Sequence, residues 1–165
     1  MKPLAAGLVE AVLDTAPVGR LALSDEQDRP EALPIVFARA AGCLWSPIDG
    51  KPKSTAQLAR LARLARAPAV MLLVDHYADD WADLWWLRLR ARAEIVADKH
   101  PDWSAAVEAL DAKYPQYGST PMFSGEPTLI RLSWHAISWW AWSGKEGILR
   151  WLEEQIPGAG AFAEV

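Results

Sequence analysis

Between residues 84 and 96 apolar and polar side chains alternate. Trp85, Leu87, Leu89, Ala91, Ala93 and Ile95 fall on one side, and Trp86, Arg88, Arg90, Arg92 and Glu94 on the other. A period of two is that of a strand with one buried face. Thr128 to Trp142 repeats the pattern, with Leu129, Arg131, Ser133, His135, Ile137 and Trp139 in one file. Ile130, Leu132, Trp134, Ala136, Ser138, Trp140 and Trp142 form the other, and a bend or bulge is expected near Ser133. Ala69 to Val74 is continuously apolar and reads as a strand buried on both faces. Arg20–Ser24 and Glu31–Ala38 flank a polar turn, Asp25 to Pro30, and read as a hairpin. Pro34 marks the second of these as an edge or bulged strand. A short run, Cys43-Leu44-Trp45, supplies one more.

Helical spacing appears between these strands. Pro3 to Asp14 places Leu4, Leu8, Ala11 and Val12 on one face, with Pro3 in the first turn. Thr55 to Arg66 sets Leu58, Leu61 and Leu64 against Arg60, Arg63 and Arg66 on the opposite arc. Asp102 can cap a helix carrying Trp103, Ala106, Val107 and Leu110. Lys113 to Pro127 reads as a long loop, and Ile148 to Gln155 as one or two helical turns. About six strands, several long and amphipathic, with helices between them, predict a mainly β fold: a small closed or six-stranded split β-barrel. The helix–strand alternation also permits an α/β sandwich.

Totals narrow the class. The 165 residues suggest one domain, with a loose tail from about 156, and 52% hydrophobic content supplies a core. A net charge of -4 argues against nucleic acid as the general partner. The single cysteine, Cys43, excludes an intrachain disulfide and a thiolate metal cluster, so a reducing cytoplasm is the expected compartment. Glu10 and Asp14 interrupt any N-terminal signal segment, and no run reaches the length of a membrane span. Ten tryptophans exceed what so small a core can hold centrally. Some should line a ligand cleft or a subunit interface.

The stretch from Gly42 to Ala67 carries the candidate chemistry. It turns at Asp49-Gly50, presents Lys51, Lys53 and Ser54, and enters the Thr55–Arg66 helix, where Ser54 and Gln57 fit a capping box. Lys51 to Arg66 holds five basic residues and no acid. A helix N-terminus preceded by two lysines is a seat for phosphate, although a solvated basic face after an ordinary turn has the same pattern. Asp49 could orient a lysine or a hydroxylated chain. His76, His100 and His135 lack metal-ligand spacing, no serine sits in a nucleophile elbow, and neither a dinucleotide fingerprint nor a P-loop occurs. No catalytic residue and no metal site are assigned. A cationic anchor beside aromatic walls suits a flat phosphorylated cofactor that carries the chemistry itself.

Several ordered segments resemble one family. Pro34-Ile35-Val36-Phe37, Asp49-Gly50-Lys51-Pro52-Lys53, Leu73-Val74-Asp75-His76-Tyr77 and Asp80-Trp81-Ala82-Asp83-Leu84-Trp85-Trp86-Leu87-Arg88 follow one another within residues 5 to 142. The set is similar to the pyridoxamine-phosphate-oxidase-like split barrels that bind flavin or deazaflavin, most of all the small actinobacterial-type branch of deazaflavin-dependent enzymes. The resemblance implies a homodimer with two cofactor sites at its interface. The cofactor would be FMN or the deazaflavin F420. Its ring would lie along Pro34, Ile35, Val36 and Trp45. Lys51 and Lys53, with Ser54 adjacent, match phosphate-side positions, and Arg60 is a further candidate. Arg88 matches an interface strand, and Trp139 would approach the partner's cofactor. The implied activity is hydride transfer between F420 or FMN and a small-molecule acceptor. The ligands expected for substrate phosphate in the oxidases themselves are missing, which argues against oxidation of pyridoxamine phosphate.

Two other classes compete. A non-enzymatic FMN or haem carrier would use His76 or His135 for haem. A nucleic-acid-binding barrel would use the Arg-rich helix and exposed tryptophans, against the net charge and the acidic run Asp75, Asp79, Asp80 and Asp83.

Overall fold

A computed structural model describes residues 3–48, 55–123 and 125–156. Among the described residues, seven strands form one antiparallel sheet: β1 (Gly19–Ser24), β2 (Pro30–Ile35), β3 (Ala38–Ala40), β4 (Cys43–Pro47), β5 (Ala69–His76), β6 (Trp85–Val96) and β7 (Leu129–Ala141). Four α-helices accompany them: α1 (Ala6–Thr15), α2 (Thr55–Arg66), α3 (Trp103–Lys113) and α4 (Lys145–Gln155). The strand order is β2-β1-β5-β6-β7-β4-β3.

The period-two pattern of β6 decides which face is the core. Trp85, Leu87, Leu89, Ala91 and Ala93 are buried, and they pack with Leu8, Val12 and Leu13 of α1, Leu64 of α2, and Ile148, Trp151 and Leu152 of α4. Each fully buried leucine there contributes about 1.5–3 kcal/mol relative to exposure. On the other face α3 covers only one end. Its Ala106 and Leu110, with the following Tyr114, cluster with Ala38, Cys43, Trp45, Val96 and Leu129. The rest of that face stays half-buried or exposed, from Arg20 and Ala22 across Met71 and Leu73 to Arg88, Arg90, Ala136 and Ser138.

The six-stranded split β-barrel expected from the sequence does not form. The sheet is open and mixed with helices: β2 and β3 are its two edges, and no ladder joins them. The segment read as one strand from Glu31 to Ala38 breaks at Val36-Phe37, which raises the strand number to seven. The physical cause is a side chain. The Tyr114 hydroxyl accepts the Phe37 N–H at 2.9 Å and lies 2.8 Å from the Phe37 carbonyl oxygen. Both ladder groups of Phe37 are thereby engaged. The chain then runs from one sheet edge to the other through two residues, Val36 and Phe37, without pairing β2 to β3.

Other boundaries shift modestly. The bulge in β7 lies at His135: Arg90 opposes Ala136 while Ala91 opposes Trp134, so His135 is the extra residue. Part of the expected 113–127 loop is ordered, because α3 reaches Lys113 and a 3-10 turn spans Pro115–Gly118. No helix among the described residues is long and apolar enough to cross a membrane.

Candidate functional site

Where β2 gives way to β3 the chain forms a cleft of about 180 Å3, lined by Val18, Pro34, Ile35, Val36, Ser46, Pro47 and Arg60. Pro34 has no N–H to give a ladder, and β2 is accordingly an edge strand. Pro34 pairs with Arg20 and shares its face, whereas Ile35 turns into the core. Arg60 brings a cation from α2.

Two adjacent side chains at the end of α3 hold the cleft wall from behind. The Tyr114 hydroxyl lies 3.0 Å from the Pro17 carbonyl as well as touching both polar groups of Phe37. Its one hydrogen serves one carbonyl at a time. Burial pushes the Tyr114 phenol up to about 12, against the lowering effect of its bond to Phe37. The Lys113 ammonium donates to the Leu13 carbonyl at 2.7 Å and sits 4.1 Å from the centre of the Phe37 ring. Burial brings Lys113 down to about 8, with Asp14 opposing the shift. Val18 and Val36 each stand next to a residue fixed in this way.

The remaining arginines of α2 are committed elsewhere. Arg63 is ion-paired with Glu31, and Arg66 with Asp28 at 3.1 Å and the Asp25 carbonyl. This face therefore ties α2 to the β1–β2 turn. That turn is itself organised by Asp25, which accepts the backbone N–H of Gln27 and of Arg29 and the Arg29 side chain.

Of the residues singled out in the sequence, Pro34, Ile35, Val36 and Arg60 converge on the cleft. Asp49, Lys51, Lys53 and Ser54 lie outside the described residues, directly after the cleft's Ser46-Pro47 wall and Ile48. Trp45 is fully buried in the α3 cluster, donates its indole N–H to the Ala40 carbonyl at 2.9 Å and meets His100 edge-on at 5.4 Å. Arg88 donates to the Ser138 hydroxyl at 3.1 Å and lies over Trp86 at 5.0 Å. Trp139 lines a second cleft of about 370 Å3, with Leu4, Val9 of α1, Trp134, His135 and Ile137. A third, of about 450 Å3, is open on the uncovered sheet face and is lined in part by Ala22, Met71, Arg90 and His135.

The histidines have different settings. His76 lies near Trp85 and Trp151, with ring centres 6.2 and 6.3 Å away. His100 accepts the Asp102 N–H at Nδ1. His135 is exposed and lines both larger clefts. Among the described residues no group of three His, Cys, Asp or Glu side chains is arranged for a metal. Sequence reasoning missed Val18, Ser46 and Pro47, and it missed Tyr114, whose signal was present: Tyr114 continues the four-residue spacing of Ala106 and Leu110.

The family model for pyridoxamine 5'-phosphate oxidase matches residues 7–146. The chain belongs to this family. Comparison with curated protein sequences finds no match. Solved structures share the fold of this family member at low identity. A haem-binding protein from Mycobacterium smegmatis superposes with a TM-score of 0.67 at 16% identity, over 87% of this chain and 57% of that one. HutZ, the haem storage protein of Vibrio cholerae, gives 0.64 at 16% identity, over 84% and 95%. An FAD-binding protein from Mesorhizobium loti gives 0.60 at 18% identity, over 82% and 92%. This chain thus spans a little over half of the M. smegmatis protein and nearly all of the other two.

Proposed function

We propose that this protein binds a flat aromatic cofactor with an anionic tail, FMN in the first instance, and acts as its carrier. The observation that carries this reading is the convergence of Pro34, Ile35, Val36 and Arg60 on one cleft. An exposed strand edge offers backbone groups to a ring, and a guanidinium offers a partner to phosphate. At about 180 Å3 the cleft is smaller than a typical cofactor site. The segment bearing Asp49, Lys51, Lys53 and Ser54 follows its wall, and a second copy of the chain would supply the rest. Pro34 belongs both to the cleft and to the uncovered sheet face, so a homodimer formed through that face would bring the partner against the cofactor. The carrier role is supported by structural relatives whose names describe haem binding, haem storage and FAD binding.

Haem is the second reading, and His135 favours it. This side chain is presented by a bulge to two clefts, with Arg90 lining one of them. An imidazole for iron and a guanidinium for a propionate fit that group. Hydride transfer from F420 or FMN to a small acceptor remains the enzymatic version of the flavin reading.

Titration of the purified protein with FMN, F420 and haemin, followed by fluorescence and absorbance, tests all three. The carrier reading expects micromolar or tighter FMN binding without turnover of acceptors. A protein that binds none of the three at that level removes the reading altogether.

A further inference from the structure

We propose that Lys113 and Tyr114 are positioning residues for the cleft, and that the charge on Lys113 is coupled to the affinity of an anionic ligand held there. The inference rests on the cleft being a cofactor site. Tyr114 fixes Pro17 and Phe37, the residues that directly precede and follow the wall residues Val18 and Val36. Lys113 adds a second hold on the same residue, with its ammonium 4.1 Å from the Phe37 ring. A Cβ at Gly19 would lie 3.2 Å from the same ring and 2.7 Å from Leu72, so β1 can pass this close to the ring because residue 19 is a glycine. Phe37 has no exposed surface and cannot move without these neighbours. The Val36 wall is thus set by α3, although α3 lines no part of the cleft.

The ammonium is a costly choice for this task. Burial depresses its proton affinity to about 8, and an apolar side chain would fill the space without that cost. Buried groups with displaced ionisation gather at functional sites more than elsewhere. The charged group that acts on Lys113 is Asp14 of α1, and Asp14 is itself paired at 2.7 Å with Arg39 of β3, which also meets Glu10 at 3.4 Å. Directly after Lys113, past the end of α3, comes Tyr114, whose own ionisation is pushed up to about 12. An anion bound at the cleft favours the protonated lysine. By reciprocity, loss of that proton weakens the anion.

The experiment measures FMN affinity and thermal stability of the full chain between pH 7 and 9, for wild type, Lys113→Met, Lys113→Arg and Tyr114→Phe. At pH 7 Lys113→Met should bind FMN about ten-fold more weakly at a similar melting temperature, and Lys113→Arg within about three-fold of wild type. Wild-type affinity should fall toward the Lys113→Met value as pH rises, while both Lys113 variants stay level. Tyr114→Phe should lose affinity together with stability, since it leaves the Phe37 N–H unpaired. A stable Lys113→Met protein with unchanged affinity, or one that retains the wild-type pH profile, overturns this proposal alone. Absence of FMN binding by the wild type overturns the FMN reading and this one with it.

Discussion

Leu73 of β5 lies directly opposite Arg88 of β6, on the sheet face that α3 leaves uncovered. Ser138 continues the row on β7 and takes a hydrogen bond from Arg88. Met71 and Arg90 repeat the arrangement one step along, followed by Ala136. A face with aliphatic and small residues among arginines is suited to self-association, because arginine stems can pack while their heads find partners. Leu73→Lys sets a like charge against Arg88 and should convert a dimer to a monomer. Folding stability of the separate chain should change by only about 0.5 kcal/mol, as for ordinary surface substitutions. Light scattering at tens of micromolar reads the result. A wild type that is already monomeric there, or a Leu73→Lys protein that stays dimeric, would show that this face is not the interface.

Arg60 should matter for binding. Its guanidinium is the charged side chain lining the cleft among the described residues. A charge-assisted hydrogen bond contributes about 1.5–3 kcal/mol. Arg60→Ala should therefore weaken FMN about ten-fold or more, with the far-ultraviolet circular dichroism unchanged. Arg60→Lys should fall between the two, because it keeps the charge and loses the planar fork. Equal affinities across the three proteins would separate Arg60 from the ligand.

Parts of this architecture could be read directly from the chain. The alternation specified two long strands, β6 and β7, and for β6 also the buried face from Trp85 to Ala93, because a period of two has one structural meaning. The α2 helix was bounded at Thr55 and Arg66 by its leucine and arginine arcs and by Pro68. The strand break at Phe37 was not legible. It depends on Tyr114, distant in sequence, and no local pattern between Glu31 and Ala38 announces a hydroxyl that will occupy the backbone. Trp45 shows the same limit. Its strand was recognised, but the sequence did not reveal that α3 would cover its face and direct its indole to Ala40. Arg63 and Arg66 were legible as part of a basic helix arc, but not their meeting with Glu31, Asp28 and the Asp25 carbonyl across the β1–β2 turn. Ion pairing between distant segments has no periodic signal.

The alkaline side of the stability profile should carry two opposing slopes. Lys113 falls from 10.5 in the ordinary state to about 8 in the fold. Between these values the unfolded chain keeps a proton that the folded chain releases, so stability rises with pH from about 8 and the penalty is complete below it. Tyr114 is raised from 10.0 to about 12. Above 10 the unfolded chain loses its phenolic proton first, so stability from this group declines with further alkalinity. Lys113→Met should remove the rise and leave the decline. At neutral pH its stability should stay close to that of wild type: the ammonium's burial costs about 3 kcal/mol at most, and its charge-assisted hydrogen bond and ring contact together contribute about 2–4 kcal/mol. Melting curves at half-unit pH steps check the sign. A Lys113→Met protein several degrees less stable at pH 7 would mean that the ring contact outweighs the burial.

His135 distinguishes the two cofactor readings because it stands apart from the cleft at Pro34. A haem bound through its imidazole would lie in one of the two larger clefts, against Trp139 and Ile137 or beside Arg90. FMN at the smaller cleft would not touch it, since His135 does not line that cleft. His135→Ala should therefore abolish or shift the Soret band of a haemin complex while leaving FMN affinity within about two-fold of wild type. The substitution is mild for the fold: His135 is exposed and is the residue the β6–β7 ladder skips, so its removal breaks no pairing. If the Soret band survives His135→Ala unchanged, iron is held by another group. His76, near Trp85 and Trp151 at the far end of β5, is then the next to replace.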